Sequence, residues 1–138
     1  MDRNKFNASG CKDITAYEAL KNIEKEEHKY LPMVYICSPY RGDVETNVMK
    51  ARRYSHFAVT KDTIPIAPHL LYPQFMNDNV LSERKLAMRF NYVLLGLCKE
   101  LWVFGDVISE GMAYEIGIAK KRFMKIRYFD ISCQEVSK

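Results

Sequence analysis

No run of about 18 consecutive apolar residues occurs in this sequence, so no membrane-spanning helix is expected. The opening residues, MDRNKFNASGCKD, contain no apolar segment of the kind a secretory signal needs. Cysteine is sparse and scattered. Cys11, Cys37, Cys98 and Cys133 form no CxxC and share no ligand-like spacing with a histidine. That argues against zinc and against a disulfide framework, and for reduced thiols in the cytoplasm. Glycine is scarce too, with 6 in the chain. Neither a Walker A loop nor GxGxxG can be read, so the glycine-rich phosphate cradles are excluded. There is no GxSxG elbow, and no histidine sits beside a cysteine in a nucleophile pattern. Internal repeats and low-complexity segments are absent.

What remains is a chain of 138 residues, enough for one domain with a real core. The net charge is +4. Basic residues cluster in Lys50-Ala51-Arg52-Arg53 and in Lys120–Arg127. Such clusters mark either a nucleic-acid surface or solvated helix faces. The aromatic-basic alternation of single-strand binders is missing, so nucleic acid is not the expected partner. Attraction of a small anionic substrate is the better use of this charge.

Residues 1–13 read as a flexible lead-in. A helix is predicted over Ile14–Glu27, capped by Asp13 or Thr15, with Ala16, Leu20 and Ile23 as its apolar stripe. His28 falls in its solvated end and receives no role. Met33–Ser38 is the first core strand. A polar turn leads to a helix over Glu45–Lys61, with Val48, Ala51, Arg52, Ser55 and Val59 expected inward. Ile64–Ala67 is a second strand, broken by Pro65 as edge strands tolerate. His69–Asn79 is a long connection, apolar and aromatic for a loop; it either walls a site or packs its own cluster. Ser82 is expected to cap a helix over Glu83–Leu97 with Leu86, Phe90, Val93, Leu94 and Leu97 on its inner face. Leu101–Phe104 is an unbroken apolar run, as in a strand covered on both faces. A helix over Glu110–Arg122 and a strand over Lys125–Phe129 follow, and ISCQEVSK is a short polar tail.

Strands alternating with helices call for a parallel sheet between two helical layers. The expected fold class is α/β: a Rossmann/flavodoxin-like three-layer sandwich with a small parallel sheet, plus an N-terminal helix. The expected organisation is an extension over 1–32, an α/β domain over 33–130 and a tail over 131–138. In such sheets ligands bind beyond the carboxyl ends of the strands. That rule gathers Ser38–Asp43, Pro68–Asn79 and Gly105–Gly111 at one rim.

The rim holds most of the candidate chemistry. In Ser38-Pro39-Tyr40-Arg41-Gly42-Asp43, backbone N–H groups at a helix start and an adjacent arginine suit a phosphate or carboxylate. Ser109 is placed to cap the next helix, with Glu110 in the first turn beside the positive helix end; it is either a plain cap or a second anion contact. His69 is either structural or a ligand contact. On the helix after Ser109, Met112, Glu115, Ile116, Ala119 and Phe123 share one stripe. The carboxylate in that stripe is either partly exposed at its edge or buried for use, because burial of a charge is costly unless it is paired or employed. With serine and cysteine patterns absent, Glu115 is the candidate nucleophile.

Together these segments resemble the nucleoside 2-deoxyribosyltransferase-like superfamily, and within it the deoxynucleoside 5'-monophosphate N-glycosidases. The resemblance spans Met33 to Phe129. It is carried by Tyr35-Ile36-Cys37 with Arg41-Gly42, by His69 after the second strand, and by Ser109-Glu110-Gly111-Met112-Ala113-Tyr114-Glu115 leading to Gly117 and Ala119. It implies that Glu115 attacks C1' of a sugar and displaces the base, with Tyr35 near the sugar and nucleophile. Arg41, Gly42 and Ser109 match positions that cradle a 5'-phosphate, and His69 one beside the base. Ser38, Asn91, Asp106 and Gly111 complete the expected substrate contacts. Asn91 is a departure, because it stands where the family has a second carboxylate; Asp43, Asp78 and Asp106 stay open as substitutes. The resemblance also implies a nucleotide or nucleoside as small-molecule partner and a homo-oligomer, with no metal or other cofactor. The alternative reading is a non-catalytic nucleotide-binding module, a sensor or sequestering protein for an ADP-ribose-like ligand.

Overall fold

A computed structural model of the chain describes residues 14–26 and 29–138. The expected lead-in, the Asp13 cap, Cys11, Glu27 and His28 lie outside the described residues. The chain divides between Leu31 and Pro32 into two compact units. In the first, α1 spans Ile14–Glu26, and Leu20 and Ile23 of its stripe are exposed.

The second unit is an α/β body. Its strands are β1 (Met33–Cys37), β2 (Ile64–Ile66), β3 (Glu100–Phe104), β4 (Lys125–Phe129) and β5 (Glu135–Val136). The sheet order is β2-β1-β3-β4-β5. The first four strands run parallel, and β5 pairs antiparallel with β4. This is the expected flavodoxin-like arrangement, with one addition: the polar tail supplies an edge strand. A two-residue strand carries too little pattern to be read from sequence. It is tied down by Arg127, whose guanidinium donates to both carboxylate oxygens of Glu135 at 2.9 and 2.7 Å. The second strand ends at Ile66, one residue early, and lies at the opposite edge, where Pro65 is tolerated.

Strand alternation sorts the core into two clusters. Val34, Ile36, Trp102, Phe104 and Phe129 face α2 (Val44–Thr60), meeting Tyr54 and Ala58. Tyr35, Cys37, Leu101 and Val103 face the other way, toward α3 (Leu81–Leu97) and α4 (Glu110–Lys121), meeting Leu95, Met112, Ile116 and Ala119. One face of a pleated strand thus serves each helical layer.

Three helix faces differ from expectation. In α2 the buried residues are Ala51, Tyr54 and Ala58, whereas Arg52 and Val59 are exposed. The small alanines let the helix approach the sheet, and Tyr54 stacks on Phe104 at 4.3 Å. In α3 the inner face is rotated. Leu95 is buried while Leu86, Val93 and Leu97 are exposed. Ser82 lies inside this helix, whose N-cap position is Val80 with no side-chain cap bond. In α4, Arg122 is the C-cap and Phe123 follows it at φ 57°, with 95% of its surface exposed. The helix therefore ends before the stripe reaches Phe123.

Candidate active site

Three turns meet beyond the carboxyl ends of β1, β2 and β3. The first follows Cys37. Asp43 caps α2 by accepting from the Thr46 N–H at 3.3 Å, and Asn47 donates to the Tyr40 and Arg41 carbonyls at 3.0 and 3.1 Å. Gly42 takes φ 95°, which glycine adopts without steric cost. The third turn uses Gly105 at φ 97°, and the Ser109 hydroxyl then caps α4 by accepting from the Met112 N–H at 3.2 Å. The middle segment is built from two short 3-10 turns, Pro68–Leu70 and Tyr72–Gln74. Here Tyr72 packs on Phe75 and Phe90, at 5.9 and 5.3 Å between ring centres. The loop both packs its own aromatic cluster and walls the rim.

Between these turns and α3 lies a cavity of about 440 Å³, the size of a small-molecule site. Ser38, Arg41, His69, Asn91, Ser109, Gly111 and Glu115 of the expected residues line it. Tyr35 is not among its lining residues and reaches it through its hydrogen bond to Glu115. Gly42 and Asp106 are not among its lining residues; both are exposed, the glycine shaping its turn. Of the three aspartates left open, Asp43 is a helix cap and Asp106 lies outside the wall. Asp78 is in the wall, held by Arg41 at 2.7 Å.

Glu115 is the buried option: only 6% of its surface is exposed. The Tyr35 hydroxyl donates to its carboxylate. Burial pushes its carboxyl from 4.5 up to about 7, while hydrogen bonds from Tyr35 and Cys37 pull the other way. Tyr35 itself is held well above the ordinary phenol value, by burial first and by the charge of Glu115 second. It therefore stays a proton donor to the carboxylate. Burial likewise raises the Cys37 thiol, which keeps it protonated among the core residues of this face. His69 stacks on Tyr40 at 5.0 Å with the rings 10° from parallel. Burial lowers its pKa, with Asp78 opposing, and the imidazole is neutral at physiological pH.

Two polar atoms in the wall lack partners. Ser38 Oγ and Asn91 Oδ1 are buried and make no hydrogen bond among the described residues. Buried groups of this kind are costly without a partner, so each is poised to receive one. Arg84, Glu83 and Tyr40 also line the cavity and were not read from sequence. The available signal was a second α3 stripe, Arg84, Ala87 and Asn91, at helical spacing but weak in hydrophobicity. Among the described residues, no group of three or more histidine, cysteine or acidic side chains could hold a metal ion.

The fold has solved relatives. A 2-deoxyribosyltransferase from the psychrotolerant bacterium Bacillus psychrosaccharolyticus superposes with a TM-score of 0.57 at 15% identity, over 77% of this chain and 77% of that one. A 2-deoxyribosyltransferase from Leishmania mexicana gives 0.51 at 15% identity, over 72% of this chain and 64% of that one. The chain therefore has a nucleoside 2-deoxyribosyltransferase-like fold. A family described as a domain of unknown function (DUF7768) matches residues 32–129, and the chain belongs to that family. No curated protein matches the sequence.

Proposed function

We propose that this protein is an N-glycosidase or 2-deoxyribosyltransferase, cleaving the N-glycosidic bond of a nucleotide or nucleoside through Glu115. The observation that carries the reading is a carboxylate buried at the floor of the cavity with Tyr35 donating to it. A retaining mechanism needs a carboxylate nucleophile held against C1', where an oxocarbenium-like transition state develops positive charge. Attack by Glu115 on C1' expels the base and leaves a glycosyl ester. Water, or a second base, then takes the sugar and returns the carboxylate.

In this reading Tyr35 orients the nucleophile by holding one of its oxygens. Arg41, with Ser109 and the N–H groups at the start of α4, receives a 5'-phosphate, for which Arg41 leaves its ion pair with Asp78. Tyr40 and His69 offer a stacked aromatic wall for the base. Ser38, Asn91 and Gly111 line the space between. The α/β domain over 33–130 carries the whole site, with 1–32 as an extension and 131–138 as a tail. No metal or other cofactor enters the chemistry. A homo-oligomer, to be measured by light scattering, belongs to the same reading.

The test is release of base. Wild-type protein and Glu115→Gln are incubated with nucleosides, deoxynucleoside monophosphates and NAD, and products are separated by chromatography. Base released by the wild type alone is the expected result. Equal release by both proteins, or none by either, overturns the reading.

A further inference from the structure

The wall of the cavity has an unusual balance of charge. Arg41 is already neutralised by Asp78 at 2.7 Å. That leaves Arg84 as the remaining guanidinium, against the carboxyls of Glu83, Glu110 and Glu115. Beside them stand aromatic rings. Tyr40 and His69 are stacked, and Tyr72 lines the same wall. Carboxylates with aromatic faces are the chemistry that holds a flat organic cation. Two further observations point to a ligand. Ser38 is 2% exposed, and among the described residues neither its Oγ nor the buried Asn91 carbonyl oxygen has a hydrogen-bond partner.

The same wall is poor in acids. Asp78 accepts from the Arg41 guanidinium at 2.8 Å. Glu83 accepts from the Asn77 N–H at 3.1 Å, and Glu110 sits in the first turn of α4. A tyrosine hydroxyl is a far weaker acid than a carboxyl. Asn91 projects from α3 into the cavity with an amide, which has no acidic proton to give. A neutral base leaves as an anion unless it is protonated. A base that is already cationic leaves neutral and needs no proton.

We infer that the site takes N-glycosides whose base is a cationic aromatic ring, such as a pyridinium or N7-alkylated purine nucleotide. The inference rests on the glycosidase reading and narrows its substrate class. The step balances without an acid. A Glu115 oxygen bonds to C1' as the C1'–N bond breaks, and the bonding pair stays on the ring nitrogen. The cationic ring and the carboxylate anion become a neutral base and a neutral ester. Water then attacks C1', the ester bond returns its electron pair to the Glu115 carboxylate, and the water proton goes to solvent. Asn91 Oδ1 accepts from an N–H on the departing ring, such as that of a carboxamide.

Two matched pairs test this. Nicotinamide mononucleotide is set against its reduced form, whose ring is uncharged, and 7-methylguanosine monophosphate against guanosine monophosphate. Base release is measured with wild-type protein and corrected for spontaneous hydrolysis. Affinity is measured by calorimetry with Glu115→Gln. The cationic member of each pair is expected to react with kcat/KM at least ~100-fold higher, the share a general acid otherwise supplies. It is also expected to bind roughly 10-fold tighter, in the range of a desolvated cation–π contact. Neutral members that react and bind as well overturn the inference and leave the glycosidase reading standing. A rate advantage without a binding advantage also overturns it, because leaving-group reactivity alone accounts for that. Absence of base from all four compounds overturns this inference, and the glycosidase reading is then decided by the wider panel of nucleosides, deoxynucleoside monophosphates and NAD.

Discussion

The two faces of the sheet are built from the same strands and differ in kind. On the α2 face, Tyr54, Phe57, Trp102, Phe104 and Phe129 pack ring on ring, with centre distances of 4.3 to 6.3 Å. Their contribution is burial of aromatic surface. On the α3/α4 face, Tyr35, Cys37 and Glu115 bring polar groups into the core. A buried carboxyl costs stability, which proteins retain where the group has work to do. The comparison separates a face that stabilises from a face arranged for chemistry, and each can be tested against the other.

The largest effect is expected at Glu115. Glu115→Gln should lower base release on the order of 10⁴-fold, as loss of a nucleophile does. It should also make the protein more stable. A carboxyl whose folded pKa, about 7, exceeds its ordinary 4.5 binds its proton more tightly when folded. It therefore favours the native state below pH 4.5, and that advantage is lost as pH rises to about 7. Above pH 7 the ionised form costs on the order of 3 kcal/mol at about 1.4 kcal/mol per pK unit. Denaturant titrations should show Glu115→Gln gaining stability at pH 8 and little at pH 4. An unchanged difference across pH would break the comparison.

Trp102→Ala should do the opposite. It removes a fully buried ring that meets Phe57 and Phe129 at 6.0 and 5.0 Å and should cost ~3–5 kcal/mol of stability. Measured well below its lowered midpoint, kcat should stay within about twofold of wild type, since additive, distant effects leave the site intact. A large loss of kcat in folded Trp102→Ala would show that the two faces are coupled.

Tyr35→Phe sharpens the boundary, because Tyr35 is a core residue of the chemical face. It removes a donor that lowers the Glu115 pKa. The acidic limb of the rate profile should move up by roughly 1 unit, with rate lost below the limb and largely recovered above it. Loss of rate at all pH values alike would assign Tyr35 a different role. The smallest effect on the fold is expected at Arg41, an exposed partner of Asp78. Arg41→Ala should change stability by less than ~1 kcal/mol. It should raise KM ~10-fold for phosphorylated substrates and leave the matching nucleosides unaffected.

Legibility in the sequence follows the same division. The strands β1, β3 and β4 are dense in apolar and aromatic residues, and their alternation with helices announces a parallel α/β sheet. The cap at Ser109 and the carboxylate in the α4 stripe were readable because helix starts and 3.6-residue periodicity are local properties. The inner face of α3 was not. Leu86, Val93 and Leu97 are apolar yet exposed, while Leu95 packs in the core and Ala87 and Asn91 line the cavity. Hydrophobicity marks the inner face of a helix only when that face packs wholly against core; a face that also walls a cavity dilutes the signal.

The sequence by itself determined the order of elements, the rim where the turns collect, and the identity of Glu115 as the carboxylate to examine. Each is set by neighbours within a few residues. Only the tertiary structure decided that Glu115 is buried with Tyr35 against it, that Arg41 is held by Asp78 from a turn 37 residues away, and that Ser38 and Asn91 face the cavity without partners. Burial, ion pairing and unmet hydrogen bonds depend on which distant segments the sheet brings together, and no local pattern records them.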